Sequence, residues 1–594
     1  MPQNMHLNGI YETSEEDYEL GSFIIQPTDG VYIPIESRIR GLITYPKANQ
    51  TTKNPLIILA HGRHSATVEN FRGLSYLAHH LSSYGYICAS IDLNDLVGPQ
   101  GTRVSKKPPI VVGGAIFHRA KTILRTIVAL KQHTLVGEKA NFQKIGLIGH
   151  SRGAEAVARA GAIDVESGNL FGINAVLSIA PVDFSGTHLS LPFFLLYGDL
   201  DADVSDGQSF RVWDRASSNK HGFYVSGAIH NYFSSNWENE WESPNPRTID
   251  RVAHENIAKS CALAFFEYYL KENHDYEPFL TGSKIPESLN DYDLSRLYSS
   301  LDQKRIDNFE GLFDHSTNSL GLPVLFEGQG NIIELDMERF KVDSDGFGNE
   351  ISTYYQYHAY LNDPRYIQYY ENIRAEISRM SQGFVSVMKY FFNASQKQIQ
   401  IDFAQIIKTS MPNFETTTDG WLRLEIELKE SPFEGLSQIQ SFINNNSSAL
   451  HALNQVGKGL QIEWNGLDSI YKTDLNEFDV RKYKWLSMRA GQLYNADKSP
   501  LLNPPEREQS FSITLVDKNL NTSSVVIHNI DGSIKFPKSD QDYFKSTLRT
   551  ILIPIGSFME KNPDLNIAAL KELHLVFDQV DTGTLVIDDI SFTN

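Results

Sequence analysis

At 594 residues the chain is too long for a single hydrophobic core, and domains of roughly 100 to 200 residues make two or three the expectation. The formal net charge of −19, with no basic block to offset it, argues against a nucleic-acid partner held through phosphate contacts. Only two cysteines, Cys88 and Cys261, argue against a disulfide framework or a cysteine-rich metal site, and the lack of any run of about 18 apolar residues argues against a membrane-spanning helix.

Residues 1–19 read as a polar, acidic N-terminal tail without the basic start and apolar core of a signal peptide. That fits a cytoplasmic chain if the N-terminus is complete, and leaves an exported enzyme open if it has been trimmed. From Ser22 to Tyr45, two extended stretches around Asp29-Gly30 suggest an antiparallel pair. Pro55-Leu-Ile-Ile-Leu-Ala60 is a short unbroken apolar run, the pattern of a strand covered on both faces, and it ends in His61-Gly62-Arg63-His64. The next helix carries Phe71, Leu74, Leu77, Ala78 and Leu81 at three-and-four spacing, and Tyr86 to Asn94 returns as a strand. A Gly-, Pro- and Lys-rich loop, Leu96 to Gly114 with Lys106 and Lys107, precedes a helix over Phe117 to His133. Its apolar face is read as Ile123, Leu124, Ile127, Val128 and Leu130.

Then comes Lys144-Ile-Gly-Leu-Ile-Gly-His-Ser-Arg-Gly153, a strand running into G-x-S-x-G. Such a turn strains the serine backbone, lifts its hydroxyl clear of the sheet and leaves no room for side chains at the flanking glycines. The following helix, Arg152 to Ala162, is rich in Gly and Ala and can press close to a sheet. Ala175–Ala180, Phe193–Tyr197 and Phe223–Ile229 are further strands, with a short helix near Gln208–Ala216, and a last helix runs from about Ile249 to Leu270. Strands alternating with helices at this rhythm specify a mainly parallel sheet with helices on both faces, placed at residues 20–272.

Residues 273–302 are polar and irregular and read as a linker. Beyond them, Leu460–Trp464, Tyr483–Ala490, Ser510–Asp517, Ser523–His528, Leu548–Pro554, Glu572–Asp578 and Thr584–Phe592 are short strands with turn-rich gaps, the pattern of a β-sandwich over residues 303–594. An irregular insertion around 330–455 includes an amphipathic helix with Ile367, Tyr370, Ile373, Ile377 and Met380.

A serine hydroxyl needs a base within hydrogen-bond reach, and that base needs an acid to fix its tautomer. The strand Pro192–Tyr197 runs into Gly198-Asp-Leu-Asp-Ala-Asp-Val204, and the next strand leads to His230-Asn-Tyr-Phe233. The order is therefore serine, acid, histidine, each past the carboxyl end of a strand, where open α/β sheets place their sites. Ser151 is the nucleophile and His230 the base. Asp201, central in its loop, is the favoured acid, with Asp203 in reserve and Asp183 a remoter option. The alternating acids also resemble the start of a calcium loop, but no glutamate closes a twelve-residue ligand set. The backbone N–H groups of Arg63 and Arg152 are the expected oxyanion donors. His64, Tyr232, Phe233 and Trp237 are candidate substrate contacts. The aromatics after His230, which include Trp241, are read equally well as packing residues. The remaining histidines show no H-E-x-x-H spacing, and neither a catalytic metal nor a cofactor is expected.

On these residues the 20–272 segment resembles the α/β-hydrolase superfamily. Gly149-His-Ser-Arg-Gly153 stands as its nucleophile elbow, Gly198–Val204 as its acid loop and His230 as its base. The His-Gly and Ser-Arg pairs are similar to those of the polyester-hydrolase, dienelactone-hydrolase and chlorophyllase-like branches, a resemblance that implies action on esters or lactones. Leu585-Val-Ile-Asp-Asp-Ile-Ser-Phe592, with Asp307-Asn-Phe-Glu310, resembles jelly-roll modules of galactose- and carbohydrate-binding type, which implies a glycan as a candidate partner. The expected activity is hydrolysis of a small-molecule or polymeric carboxylic ester through an acyl-enzyme, by a monomer. A peptidase or amidase on the same residues, or a non-catalytic scaffold beside a glycan- or partner-binding β-domain, stands as the alternative.

Overall fold

The computed structural model describes residues 2–25, 35–47, 53–97 and 112–309, apart from 186, 205–207, 239–241 and 243, then 316–336, 458–492, 503, 507–536 and 548–594, with a few isolated strand residues between 343 and 424. The helix expected around Ile367–Met380, most of the 330–455 insertion, Lys106, Lys107 and Trp241 lie outside the described residues. The chain divides between Leu301 and Asp302 into two compact units.

The first unit is built on a nine-stranded sheet with the order β1-β2-β4-β3-β5-β6-β7-β8-β9. Its strands are β1 (Thr13–Ile25), β2 (Ile35–Pro46), β3 (Asn54–Ala60), β4 (Ile87–Ile91), β5 (Ala140–His150), β6 (Ile173–Ile179), β7 (Phe193–Gly198), β8 (Lys220–Val225) and β9 (Leu294–Ser299). From β4 through β3 to β8 the neighbours run parallel, while β1 on β2, β2 on β4 and β9 on β8 are antiparallel. The central strands are apolar because both faces are covered: every residue of β3, β4 and β7 is buried. The helices are α1 (Ser75–Ser83), α2 (Val112–Leu130), α3 (Thr134–Lys139), α4 (Arg152–Glu166), α5 (Gln208–Arg215) and α6 (Arg251–Lys271). On α2 the buried stripe is Ile116, Ala120, Ile123, Leu124, Ile127 and Leu130, and Val128, expected on that face, is 51% exposed.

The sheet is wider than its apolar pattern indicates. Residues 13–19 are not tail but the first half of β1, paired with β2 from Thr13 opposite Pro46 onward. Only Tyr18 and Ile25 of this strand are buried, so an edge strand with its acidic residues toward solvent has the composition of a loop. The segment 273–302 is likewise not a plain linker. Its residues 294–299 close the other edge as β9, with Tyr298 opposite His221 and Leu297 opposite Gly222. β8 also ends at Val225, four residues short of the expected Ile229, and a turn with Gly227 at φ +83° carries the chain on to His230.

In the second unit every pairing is antiparallel among the described residues. One sheet is centred on the long strand Thr582–Thr593. Leu460–Asn465 pairs with its first half and Gln303–Asp307 with its second, while Trp485–Gln492 lies along its other edge. The other sheet runs Val324–Glu327, Ser469–Phe478, Leu570–Phe577, Ser512–Asp517, Thr522–Val526. Both sheets contribute to one core, in which Trp464 of the first stacks on Phe577 of the second with ring centroids 4.5 Å apart. These antiparallel sheets are compatible with a β-sandwich.

Candidate active site

The turn between β5 and α4 holds Ser151 at φ 58°, ψ −126°, a conformation a side-chain-bearing residue adopts only when its surroundings impose it. The imposition is steric. A β-carbon on Gly149 would stand 2.3 Å from the Gly153 carbonyl oxygen, and one on Gly153 would stand 2.1 Å from that of Ala60. The Ser151 N–H donates to Ile179 O at 2.9 Å, tying the turn to the end of β6. The serine makes no capping bond to α4, and the positive end of that helix dipole lies beside it.

The acid loop follows β7. Asp201 is 2% exposed and held from both of its oxygens. Its Oδ1 accepts from the N–H groups of Asp203 at 3.1 Å and Val204 at 2.7 Å, and its Oδ2 lies 2.8 Å from His230 Nδ1. Asp203 is 55% exposed, and its Oδ2 lies 3.4 Å from the other ring nitrogen, Nε2. Both acids therefore reach the histidine, on opposite sides of the ring. Asp183 is held instead by a bidentate pair with Arg215. Asp199 accepts from Gly227 N at 2.6 Å and Ser226 Oγ at 3.2 Å, so it joins the acid loop to the turn that leads into His230.

His230 is fully buried. Burial alone would lower its pKa, but the hydrogen-bonded Asp201 carboxylate, with Asp203 and Glu242 behind it, raises it to about 9. Glu242 carries no signal in the sequence. It is buried, and it bridges the two loops by accepting from Ala202 N at 2.9 Å and Asn231 N at 3.0 Å. Nothing in the chain's periodicity marks it. His150 packs its ring 4.6 Å from that of His230, and burial followed by the charge of His230 holds it well below its usual pKa, hence neutral.

The loop after β3 passes close to the serine. A β-carbon on Gly62 would stand 2.6 Å from Ser151 Cβ and 2.6 Å from Trp237 Cη2, so Gly62 brings the backbone leading to Arg63 against the nucleophile. Trp237 is buried, stacks on His64 at 5.2 Å, and donates from Nε1 to Asn70 Oδ1 at 2.9 Å. Asn70 in turn donates to Ser65 O and to Asn94 Oδ1, which pins the loop. The four candidate substrate contacts thus divide. His64 and Trp237 stand beside the Gly62 loop. Phe233 is fully buried, with its ring 4.9 Å from that of His254. Tyr232 is half-buried, and the Arg251 guanidinium lies 4.6 Å from its ring centroid. Aromatic spacing after a histidine does not distinguish packing under the loop from contact above it.

Among the described residues no group of three or more His, Cys, Asp or Glu side chains is placed to hold a metal, and no helix is long and apolar enough to cross a membrane. The mostly parallel sheet with its strand-turn-helix serine fits the α/β-hydrolase fold. More narrowly, residues 31–197 match the family model described as Chlorophyllase, an α/β-hydrolase-like group, and this match supports a hydrolase. The matched segment contains the His61-Gly62 loop and the serine turn and stops before Asp201 and His230. No curated protein matches the chain.

Proposed function

We propose that the first unit is a serine carboxylic-ester hydrolase. The observation that carries the reading is the strained Ser151 at the head of α4, on the same sheet end as a buried His230 whose Nδ1 lies 2.8 Å from Asp201. The match of residues 31–197 to a family of ester hydrolases supports the same chemistry at a general level.

In this mechanism neutral His230 takes the Ser151 proton on Nε2 as Oγ attacks the ester carbonyl carbon. Asp201 holds the Nδ1–H tautomer and stabilises the imidazolium. The tetrahedral oxyanion receives the backbone N–H groups of Arg63 and Arg152. His230 then gives its proton to the departing alkoxide, leaving an acyl-Ser151 ester. Water, deprotonated by His230, attacks that ester, and the carboxylic acid leaves with Ser151 restored. Asp203, 3.4 Å from Nε2, must yield that nitrogen before the serine can use it, and its exposed side chain is free to turn outward.

The test is labelling with a fluorophosphonate probe together with turnover of nitrophenyl esters by the wild type and Ser151→Ala. Labelling and hydrolysis lost in Ser151→Ala are expected. A wild type that neither labels nor hydrolyses any ester, or a variant that keeps both properties, would sink the reading.

A further inference from the structure

Arg119 lies on α2, remote in sequence from every residue of the proposed mechanism, yet its side chain is fully buried behind the Gly62 loop. Its Nη1 donates to His61 O at 2.8 Å and its Nη2 to Gly62 O at 3.4 Å. The Gly62 oxygen is also 2.7 Å from His61 Nδ1. The tautomer of His61 follows from its other nitrogen: Nε2 accepts the Leu93 N–H at 2.8 Å, so the proton sits on Nδ1 and points at Gly62 O. Burial first, and then the charge of Arg119, lower the His61 pKa to about 3, which keeps this ring neutral.

Two donors thus hold one carbonyl. Among the described residues the chain has no cis peptide bond, and in a planar trans peptide the C=O and the following N–H point in opposite directions. Fixing the Gly62 oxygen toward Arg119 and His61 therefore fixes the Arg63 N–H away from them. Gly62 also stands in close contact with Ser151.

Arg119 also brings charge. No carboxylate among the described residues forms an ion pair with it. Asp92, the acid whose charge reaches it, is engaged by Arg40 at 2.9 Å. Burial first, with Arg152 and Arg63 nearby, lowers the Arg119 pKa to about 9, so it remains a cation at neutral pH. A cation bonded to carbonyl oxygens polarises the peptides it holds and makes their N–H groups stronger donors.

We infer that Arg119 is a positioning residue for oxyanion stabilisation: with His61 it orients and polarises the Gly62–Arg63 peptide so that the Arg63 N–H faces the charge developing next to Ser151. The inference rests on the ester-hydrolase reading. It goes beyond that reading by giving a buried helix residue a share in transition-state binding.

The experiment compares wild type, Arg119→Met and Arg119→Lys in the full chain. It follows kcat and KM for a nitrophenyl ester, inhibition by a trifluoromethyl ketone that forms a tetrahedral oxyanion on the serine, and melting temperature. Arg119→Met is expected to lower kcat roughly 10²- to 10³-fold with KM within about threefold, and to weaken the ketone by a similar factor. Arg119→Lys, which keeps the charge and one donor, should recover most of the loss and stay about tenfold below wild type. A folded Arg119→Met with wild-type kcat, or one whose ketone affinity is unchanged, overturns the inference. Should Arg119→Met fail to fold, Arg119→Lys decides: wild-type kcat and ketone affinity in that variant overturn it, and a parallel loss of both supports it. A wild type inert toward esters and ketone overturns both this inference and the reading beneath it, whereas an active wild type with indifferent Arg119 variants overturns this inference alone.

Discussion

Arg119 in the first unit and Arg489 in the second are both buried arginines, 0% and 7% exposed, in surroundings of different kinds. Arg489 on the strand Trp485–Gln492 meets the Asp588 and Asp589 carboxylates, each at 2.8 Å, so its charge is neutralised on the spot. Arg119 meets backbone carbonyls instead. The second unit keeps a closed apolar core around Trp464 and Phe577. The first buries Ser151, His230, Asp201, Glu242, Glu155 and Asp183 in a polar cluster around the serine and the strand ends. Buried charge that is locally cancelled supports a fold. Charge left partly uncancelled costs stability and is available for chemistry.

Four substitutions would break or sharpen this contrast. The largest effect belongs to Asp201→Asn, which keeps the shape but not the tautomer control and is expected to lower kcat by roughly 10³- to 10⁴-fold. Stopped-flow or steady-state ester assays check it. Next comes Arg489→Met, which strands the 2%-exposed Asp588 in the interior. It should cost about 3–5 kcal/mol in urea unfolding while molecules still folded keep wild-type kcat. An equal loss of kcat would erase the distinction between the two arginines.

A smaller effect is expected from Asp203→Asn. With the His230 pKa at about 9, the neutral base disappears as pH falls below 9, so kcat/KM of the wild type should rise with pH and level off near that value. Removing the Asp203 charge lowers this pKa, moves the acid limb to lower pH and raises activity at neutral pH, by up to about tenfold if the limb moves by a full pH unit. A pH-rate profile that does not move would remove Asp203 from the site. The raised pKa has a stability side too. The imidazolium's contribution is fully present below pH 6.5 and is lost as pH rises to about 9.

The smallest change is predicted for Glu155→Gln. Glu155 Oε1 accepts from Phe184 N and Ser185 Oγ, and burial, then Asp183, raises its pKa to about 7. Its ionised form is therefore disfavoured in the fold, and this cost builds up from pH 4.5 to about 7. Glutamine keeps the acceptor without the charge. It should raise the melting temperature at about pH 8 relative to about pH 5, by about 2–4 °C per kcal/mol regained. An unchanged difference between the two pH values would show that Glu155 carries no such cost.

The parts of this arrangement that the sequence displays are those with a local signature. Gly149 and Gly153 are required by contacts within a few residues and with one neighbouring strand, so the serine turn can be recognised as a word. Asp201 follows because the apolar run of β7 stops just before its loop, and His230 because the apolar run to Ile229 leads into it, although β8 itself ends at Val225. Arg119 and Glu242 have no such mark: an arginine on a helix and a glutamate between apolar runs have the same sequence context whether they face solvent or buried backbone groups. The first half of β1 escapes the pattern because edge strands shed their apolar residues on one face. Whether Phe233 packs or contacts substrate is not written in its spacing, because burial is decided by the chain that packs over a residue, here α6 with His254.

Gly62, Gly149 and Gly153 share one more consequence. The separation between the serine turn and the loop that faces it is set by close backbone approach, with Gly153 on Ala60 and Gly62 on Ser151. That distance is set mainly by the thickness of the polypeptide itself, with the Trp237 ring packed against Gly62 beside the serine. Under the ester-hydrolase reading, these two contacts set the width of the gap in which a carbonyl would react.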